Sequence, residues 1–378
     1  MSVAHSDTFI AYRRHLHQQP ELSGEEENTA ALIQQWLVPF SPTQIVRNIA
    51  GSGLCAIYDS GEAGPCLLFR AELDALPITE KNTFDYRSKN HEKAHLCGHD
   101  GHMSILLALA AKLHARPLSQ GKVVLLFQPE EENGQGAAKM LNDERVLELQ
   151  PDFVFALHNL PGYPLHQLVV RDGNFAAASE GLLFRFEGTT AHAGQPETGN
   201  SPANVLAQLM QGLPKIPEAN PQKFGLITVV QVELGERNFG ISPGKGSLAC
   251  TVRAFEQEHF EELREEAETL AKQLADLHQL EVNISRHEGF AAVQNAHAAV
   301  EWVRKAADTL KLSVHESQQP FRWSEDFGLF TQQWSGALFG LGAGEQRASL
   351  HDPKYDFPDE LIESGSSIFD QIIREVLT

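Results

Sequence analysis

Four nearly unbroken apolar runs constrain how this chain can fold: residues 67–71, 123–127, 153–157 and 337–342. None alternates with polar residues. Strands of this kind are buried on both faces, which calls for a mostly parallel sheet covered by helices. Ligands and catalytic groups in such sheets gather where the strands end. The first run delivers Glu72 and Asp74, the second Glu130, Glu131 and Glu132, and the third His158 and Asn159. Helices are expected over 9–17, 25–37, 296–310 and 359–376, with another opened by the segment 323–327. His15 and His17 read as solvent-facing polar residues of the first helix.

A chain of 378 residues exceeds one ordinary core and suggests two domains. From residue 179 the pattern changes. Residues 182–187 alternate like a half-exposed strand, and 202–213 reads as a helix. Strands follow at 225–232 and 245–255. Next comes an acidic helix over 256–277 with Leu263, Leu270, Leu274 and Leu277 on one face, then a strand at 282–286. This strand-helix-strand-strand-helix-strand order is ferredoxin-like. The expected fold is therefore α/β: a mixed, mostly parallel catalytic domain over 1–178 and 290–378, interrupted by a ferredoxin-like α+β domain over 179–289.

Chemistry concentrates in Cys97-Gly98-His99-Asp100-Gly101-His102, just before a stretch rich in helix formers. A thiolate and an imidazole two residues apart suit a borderline-soft metal such as zinc. With the strand-end groups, the candidate donors become Cys97, His99, Glu132, His158 and His351. Five donors exceed one tetrahedral ion and suggest two. Two ions can polarise an amide carbonyl and acidify a water between them. Glu131 is then free to act as base, and Asp74 to orient a ligand histidine. Two alternatives compete. Cys97 could be a nucleophile with His99 or His102 as its base, or the chain could bind metal or peptide without catalysis. The glycines at 340, 342 and 344 lack the lysine and following helix of a phosphate loop.

A net charge of −20 argues against nucleic acid and anionic membranes as partners. The first residues lack the basic and apolar regions of a signal peptide, and no apolar run approaches a membrane span. Four cysteines lie far apart in no disulfide pattern, so a cytoplasmic protein with reduced thiols is expected.

Together these motifs resemble the M20 metallopeptidase family, in its amidohydrolase branch of hippurate, N-acyl-amino-acid and auxin-conjugate hydrolases. The likeness rests on Arg13-Arg14-His15-Leu16-His17 with Pro20-Glu21-Leu22, Arg70 to Pro77, Cys97 to His102, and Phe127 to Glu132. It extends to Ala191-His192-Ala193 with Pro196, Ser324 to Phe327, and Leu350-His351 with Pro353. The resemblance implies two divalent ions per subunit, zinc or manganese and otherwise cobalt or nickel, on the five donors named above. It implies Glu131 as general base and cleavage of the amide bond in an N-acyl amino acid or small peptide. A dipeptidase or carboxypeptidase of the same family is the alternative. It further implies an inserted lid domain that forms a homodimer, with His192 as a lid histidine acting in cis or in trans. Asn238 and Arg253 match substrate-binding positions. The chain departs from the family where Asn-Val-Ile-Pro is usual, having Asn238-Phe239-Gly240-Ile241-Ser242-Pro243 instead.

Overall fold

The computed structural model describes residues 3–377. The chain divides into two compact units. The first comprises Met1–Phe175, Val293–Gln319 and Asp326–Thr378; the second comprises Ala176–Ala292 and Pro320–Glu325.

The first unit is built on an eight-stranded sheet. In chain order its early strands are β1 (Gln44–Ile49), β2 (Gly53–Asp59), β3 (Cys66–Glu72), β4 (Lys122–Gln128), β5 (Phe153–Leu160) and β6 (Leu168–Val170). In space the order is β1-β2-β4-β3-β5, then Gly336–Gly342, β6 and Val314–Glu316. The four central strands are parallel: Leu68 sits opposite Val124 on one side and Val154 on the other, and Ala337 opposite Phe155. Their apolar runs are buried on both faces. The outer strands β1 and β2 are antiparallel additions to the four expected runs; β2 has its own buried apolar run, Leu54 to Tyr58, and β1 does not. β1 is half exposed and mixes Arg47 and Asn48 with apolar residues, as an edge strand can.

Helices cover the sheet: α1 (Val3–Gln18), α2 (Glu27–Leu37), α3 (His99–Ala115), His297–Leu310 and Leu361–Val376. Helix α3 is apolar around its circumference and buried from His99 through Ala111, as a helix enclosed by its own domain must be. Gly98 caps it at φ +102°, and a β-carbon there would collide with the Asn159 side chain. Only glycine satisfies both conditions at no steric cost. The segment 323–327 leads into helical turns over Gly328–Gln333, with Phe327 as the N-cap and the Asp326 and Phe327 carbonyls accepting the Leu329 and Thr331 N–H groups. Just upstream, the carbonyls of Phe321 and Trp323 both accept the Ala177 N–H, each at 3.1 Å.

The second unit holds a four-stranded antiparallel sheet in the order Gly225–Leu234, Lys245–Ala254, Ala178–Glu187, Glu281–Phe290. Helices Ala203–Gly212 and Gln257–Leu277 contribute Leu206, Leu209, Phe260 and Leu263 to a core with Leu182, Phe184 and Phe186. This is the split βαβ arrangement. The expected apolar face of the acidic helix is revised at its end, where Leu277 is 72% exposed; Ala267 and Ala271 complete the buried stripe.

Candidate metal centre

Strands β3, β4 and β5 end side by side, and the candidate donors lie at those ends. Beyond β3, Asp74 is fully buried. One of its oxygens accepts the Ser23 hydroxyl at 2.7 Å and the Glu132 backbone N–H at 2.9 Å. His99, in the first turn of α3, places Nδ1 at 2.9 Å from the Asp74 carbonyl and 3.3 Å from its carboxylate. That contact puts the proton on Nδ1 and leaves the lone pair on Nε2. The buried Nε2 has no hydrogen-bond partner; the carboxylates of Glu131 and Glu132 each lie 3.9 Å away.

His158 near the end of β5 is held in the same way. Its Nδ1 faces the Asn159 carbonyl at 3.0 Å, and Nε2 faces the Cys97 sulfur at 3.5 Å. Burial, then neighbouring His102, pushes His158 down to about 3, which keeps it neutral. His351 enters from a loop whose N–H donates to the Leu96 carbonyl at 2.9 Å. Its Nε2 is 3.7 Å from Glu132, and its side chain is 50% exposed, so the centre opens to solvent here.

The donor atoms form overlapping triplets within 4.8 Å: Cys97 with His99 and His158, Cys97 with Glu132 and His351, and His99 with Glu131 and Glu132. Thiolate, imidazole and carboxylate donors in this number fit divalent transition-metal ions. Burial alone would depress His99, yet Glu72, Asp74 and Glu132 push it up to about 10, so the carboxylates favour a positive charge at Nε2, either a proton or a metal ion in its place. A cation among these carboxylates answers the same excess of negative charge.

Two further groups, both within motifs the sequence singles out, support the centre from behind the donors. His102 faces the Glu72 carboxylate through Nδ1 at 2.6 Å and the Asn159 amide through its other nitrogen. Arg70 pairs with Glu72 and Asp326, and Asp326 also accepts Gln128 at 2.7 Å and the Ala137 N–H at 2.8 Å. The expectation for His17 is corrected: it is fully buried, because Asp100 and Glu80 converge on its two nitrogens at 2.9 and 3.2 Å.

His192, Asn238 and Arg253 belong to the second unit. His192 lies in a two-residue strand, Ala191–His192, paired with Ile241–Ser242, rather than in a free loop. It is exposed, and its Nδ1 accepts the Gly194 N–H at 3.0 Å. Asn238 turns its side chain back onto the Gly240 N–H at 3.0 Å. Arg253 donates to the Arg322 carbonyl and the Ser324 hydroxyl, both at 3.0 Å.

A mixed sheet carrying this donor cluster at its strand ends defines a metal-dependent hydrolase of amide bonds. More particularly, the chain belongs to Peptidase family M20/M25/M40, which it matches over residues 68–375. It is 32% identical over 371 residues to an N-acetyl-L-cysteine deacetylase of Bacillus subtilis, covering 97% of this chain and 88% of the relative. It is 29% identical to a hippurate hydrolase of Campylobacter jejuni, covering 98% and 96% of the two chains. Among solved structures it is similar to a dinuclear metal-binding peptidase of the M20 family from Bacillus subtilis. That likeness has a TM-score of 0.84 at 25% identity and covers 99% of each chain.

Proposed function

We propose that this chain cleaves the amide bond of an N-acyl amino acid or small peptide with two divalent ions held by Cys97, His99, Glu132, His158 and His351. The observation that carries the reading is the pair of donor triplets sharing Cys97, with a further carboxylate, Glu131, 3.9 Å from His99. Zinc or manganese suits this mixture of sulfur, nitrogen and oxygen donors, with cobalt or nickel as substitutes. Bound there, the ions would polarise the scissile carbonyl and lower the pKa of the attacking water.

The chain's own groups divide the remaining work. Glu131 takes a proton from the water as its oxygen bonds to the carbonyl carbon. It then returns that proton to the nitrogen as the carbon–nitrogen bond breaks. Asp74 holds His99 in its donor tautomer. Arg253 and Asn238 recognise the substrate carboxylate. His192 supplies an N–H to the carbonyl oxygen: its Nδ1 is already accepting from Gly194, which leaves the proton on Nε2. A homodimer through the second unit is supported by its edge strand Gly225–Leu234, where Val230, Val232 and Leu234 are exposed. Among the described residues no helix is long and apolar enough to cross a membrane. No disulfide joins the four cysteines, which agrees with a cytoplasmic setting.

The test is hydrolysis of N-acetyl, N-benzoyl and dipeptide substrates by metal-loaded protein, with and without a chelator. Turnover of N-acyl amino acids that the chelator abolishes and added metal restores is the expected result. Turnover of free dipeptides alone would move the reading to a dipeptidase. Chelator-resistant turnover would move it to a Cys97 thiol hydrolase.

A further inference from the structure

The chemistry above leaves the Arg13-Arg14-His15-Leu16-His17 segment unused. Its first residue is unusual: Arg13 is fully buried. One nitrogen, Nη1, donates to Asp100 at 3.2 Å and to Asp356 at 2.8 Å, and Nε lies 2.9 Å from Asp359. His17, one helical turn on, faces the same Asp100 oxygen at 2.9 Å. Asp100 directly follows His99, and Asp356 lies five residues beyond His351. One guanidinium therefore joins the two segments that bring Cys97 with His99, and His351, to the centre. The bond between the His351 N–H and the Leu96 carbonyl is a direct tie between the same segments. The Tyr86 hydroxyl reinforces the loop side by donating to Asp356 at 2.7 Å.

Burying a cation among three carboxylates is a costly way to hold a fold together. Apolar packing serves mere stability as well or better. A guanidinium adds fixed direction, because its donors point along set lines to carboxylates on separate segments. Donor sets that bind metals tightly depend on such outer partners.

We infer that Arg13, seated by His17, is a positioning residue that sets the distance of His351 from Cys97 and His99. The inference rests on the two-metal reading of the site. Its consequence is selective. The Cys97, Glu132 and His351 triplet needs the spacing that Arg13 imposes. The Cys97, His99 and His158 triplet does not include the loop.

Cobalt(II) titration of the metal-free full chain tests this, read by the cobalt ligand-field bands and the cobalt–thiolate charge-transfer band. Wild-type protein should take two ions. Arg13→Gln should take one with unchanged affinity and spectrum, and the second at least about tenfold more weakly. Asp356→Asn keeps the shape and the Arg13–Asp100 contact. It should show the same selective loss, and it carries the test should Arg13→Gln fail to fold. Arg14→Gln, at an exposed neighbour bonded to Asp359, should match wild type. Two wild-type affinities in both Arg13→Gln and Asp356→Asn would overturn the inference. So would equal weakening of both ions, the mark of a merely structural role. A wild-type protein that takes fewer than two ions overturns the metal reading and this inference with it.

Discussion

Glu130, Glu131 and Glu132 show how three identical side chains acquire three environments. Glu130 adopts φ +56°, and its N–H donates to Glu26 while its carboxylate receives Lys139. The left-handed residue turns the backbone so that the next two carboxylates face His99. Glu132 alone also reaches His351, and its own N–H is fixed by Asp74. The proposed roles predict different losses. Glu131→Gln should keep metal and substrate binding while kcat falls ~10²–10⁴-fold, as for a lost general base. Glu132→Ala should lose metal as well. Metal analysis beside kinetics checks the pair; an empty site in Glu131→Gln with a full one in Glu132→Ala would reverse the assignment. The donors of the first unit are legible in sequence because each sits in a short motif: at a strand end for Glu132 and His158, at the start of α3 for Cys97 and His99, and in a loop for His351. Arg13 and His17 are not legible in that way. The partners that bury them lie 63 to 346 positions away, and no local pattern announces such distant carboxylates.

Among the elements, α1 and α3 are joined by a buried charge contact with a pH signature. Burial alone would depress the His17 imidazole, but Asp100 and then Glu80 raise it to about 9, with Arg13 opposing. Buried His95 also faces this ring, 6.5 Å away. A folded-state value above the unfolded one, about 6.5, means that His17 contributes its full stability below pH about 6.5. The contribution is lost as pH rises through about 9. The loss amounts to at most roughly 3 kcal/mol. Urea midpoints at pH 6, 7.5 and 9.5 should fall more steeply for wild type than for His17→Gln. Parallel slopes would show that His17 does not carry the effect. At this scale the sequence is most informative about the buried centre of the sheet, where apolar runs leave no other structure. It is least informative about edges: β1 is half exposed, and Leu168–Val170 and Val314–Glu316 are three residues each. The 323–327 segment divides between two uses: the Trp323 carbonyl serves Ala177, while the Asp326 and Phe327 carbonyls accept the first N–H groups of the helical turns that follow.

For the whole molecule, the proposed dimer makes the origin of each active group testable. His192 presents Nε2–H from an exposed strand held by its pairing with Ile241. Should it serve the partner's centre, Glu131→Gln and His192→Ala chains, each nearly inactive alone, would regain activity when refolded together. In those heterodimers one centre combines Glu131 with the other chain's His192. A mixture that stays inactive assigns His192 to its own chain. Near-normal turnover by His192→Ala alone removes it from the reaction.

The six residues Pro320–Glu325 belong to the second unit although they follow it at a distance in sequence. They supply the acceptors for Ala177 and for Arg253. A recombination event that exchanged residues 176–292 between two relatives would therefore carry over an arginine without the serine it pairs with. Positions 253 and 324 thus form one side-chain contact written in two places. A gene crossover between them separates the proposed carboxylate-binding arginine from the Ser324 hydroxyl, the one acceptor here that depends on the residue present.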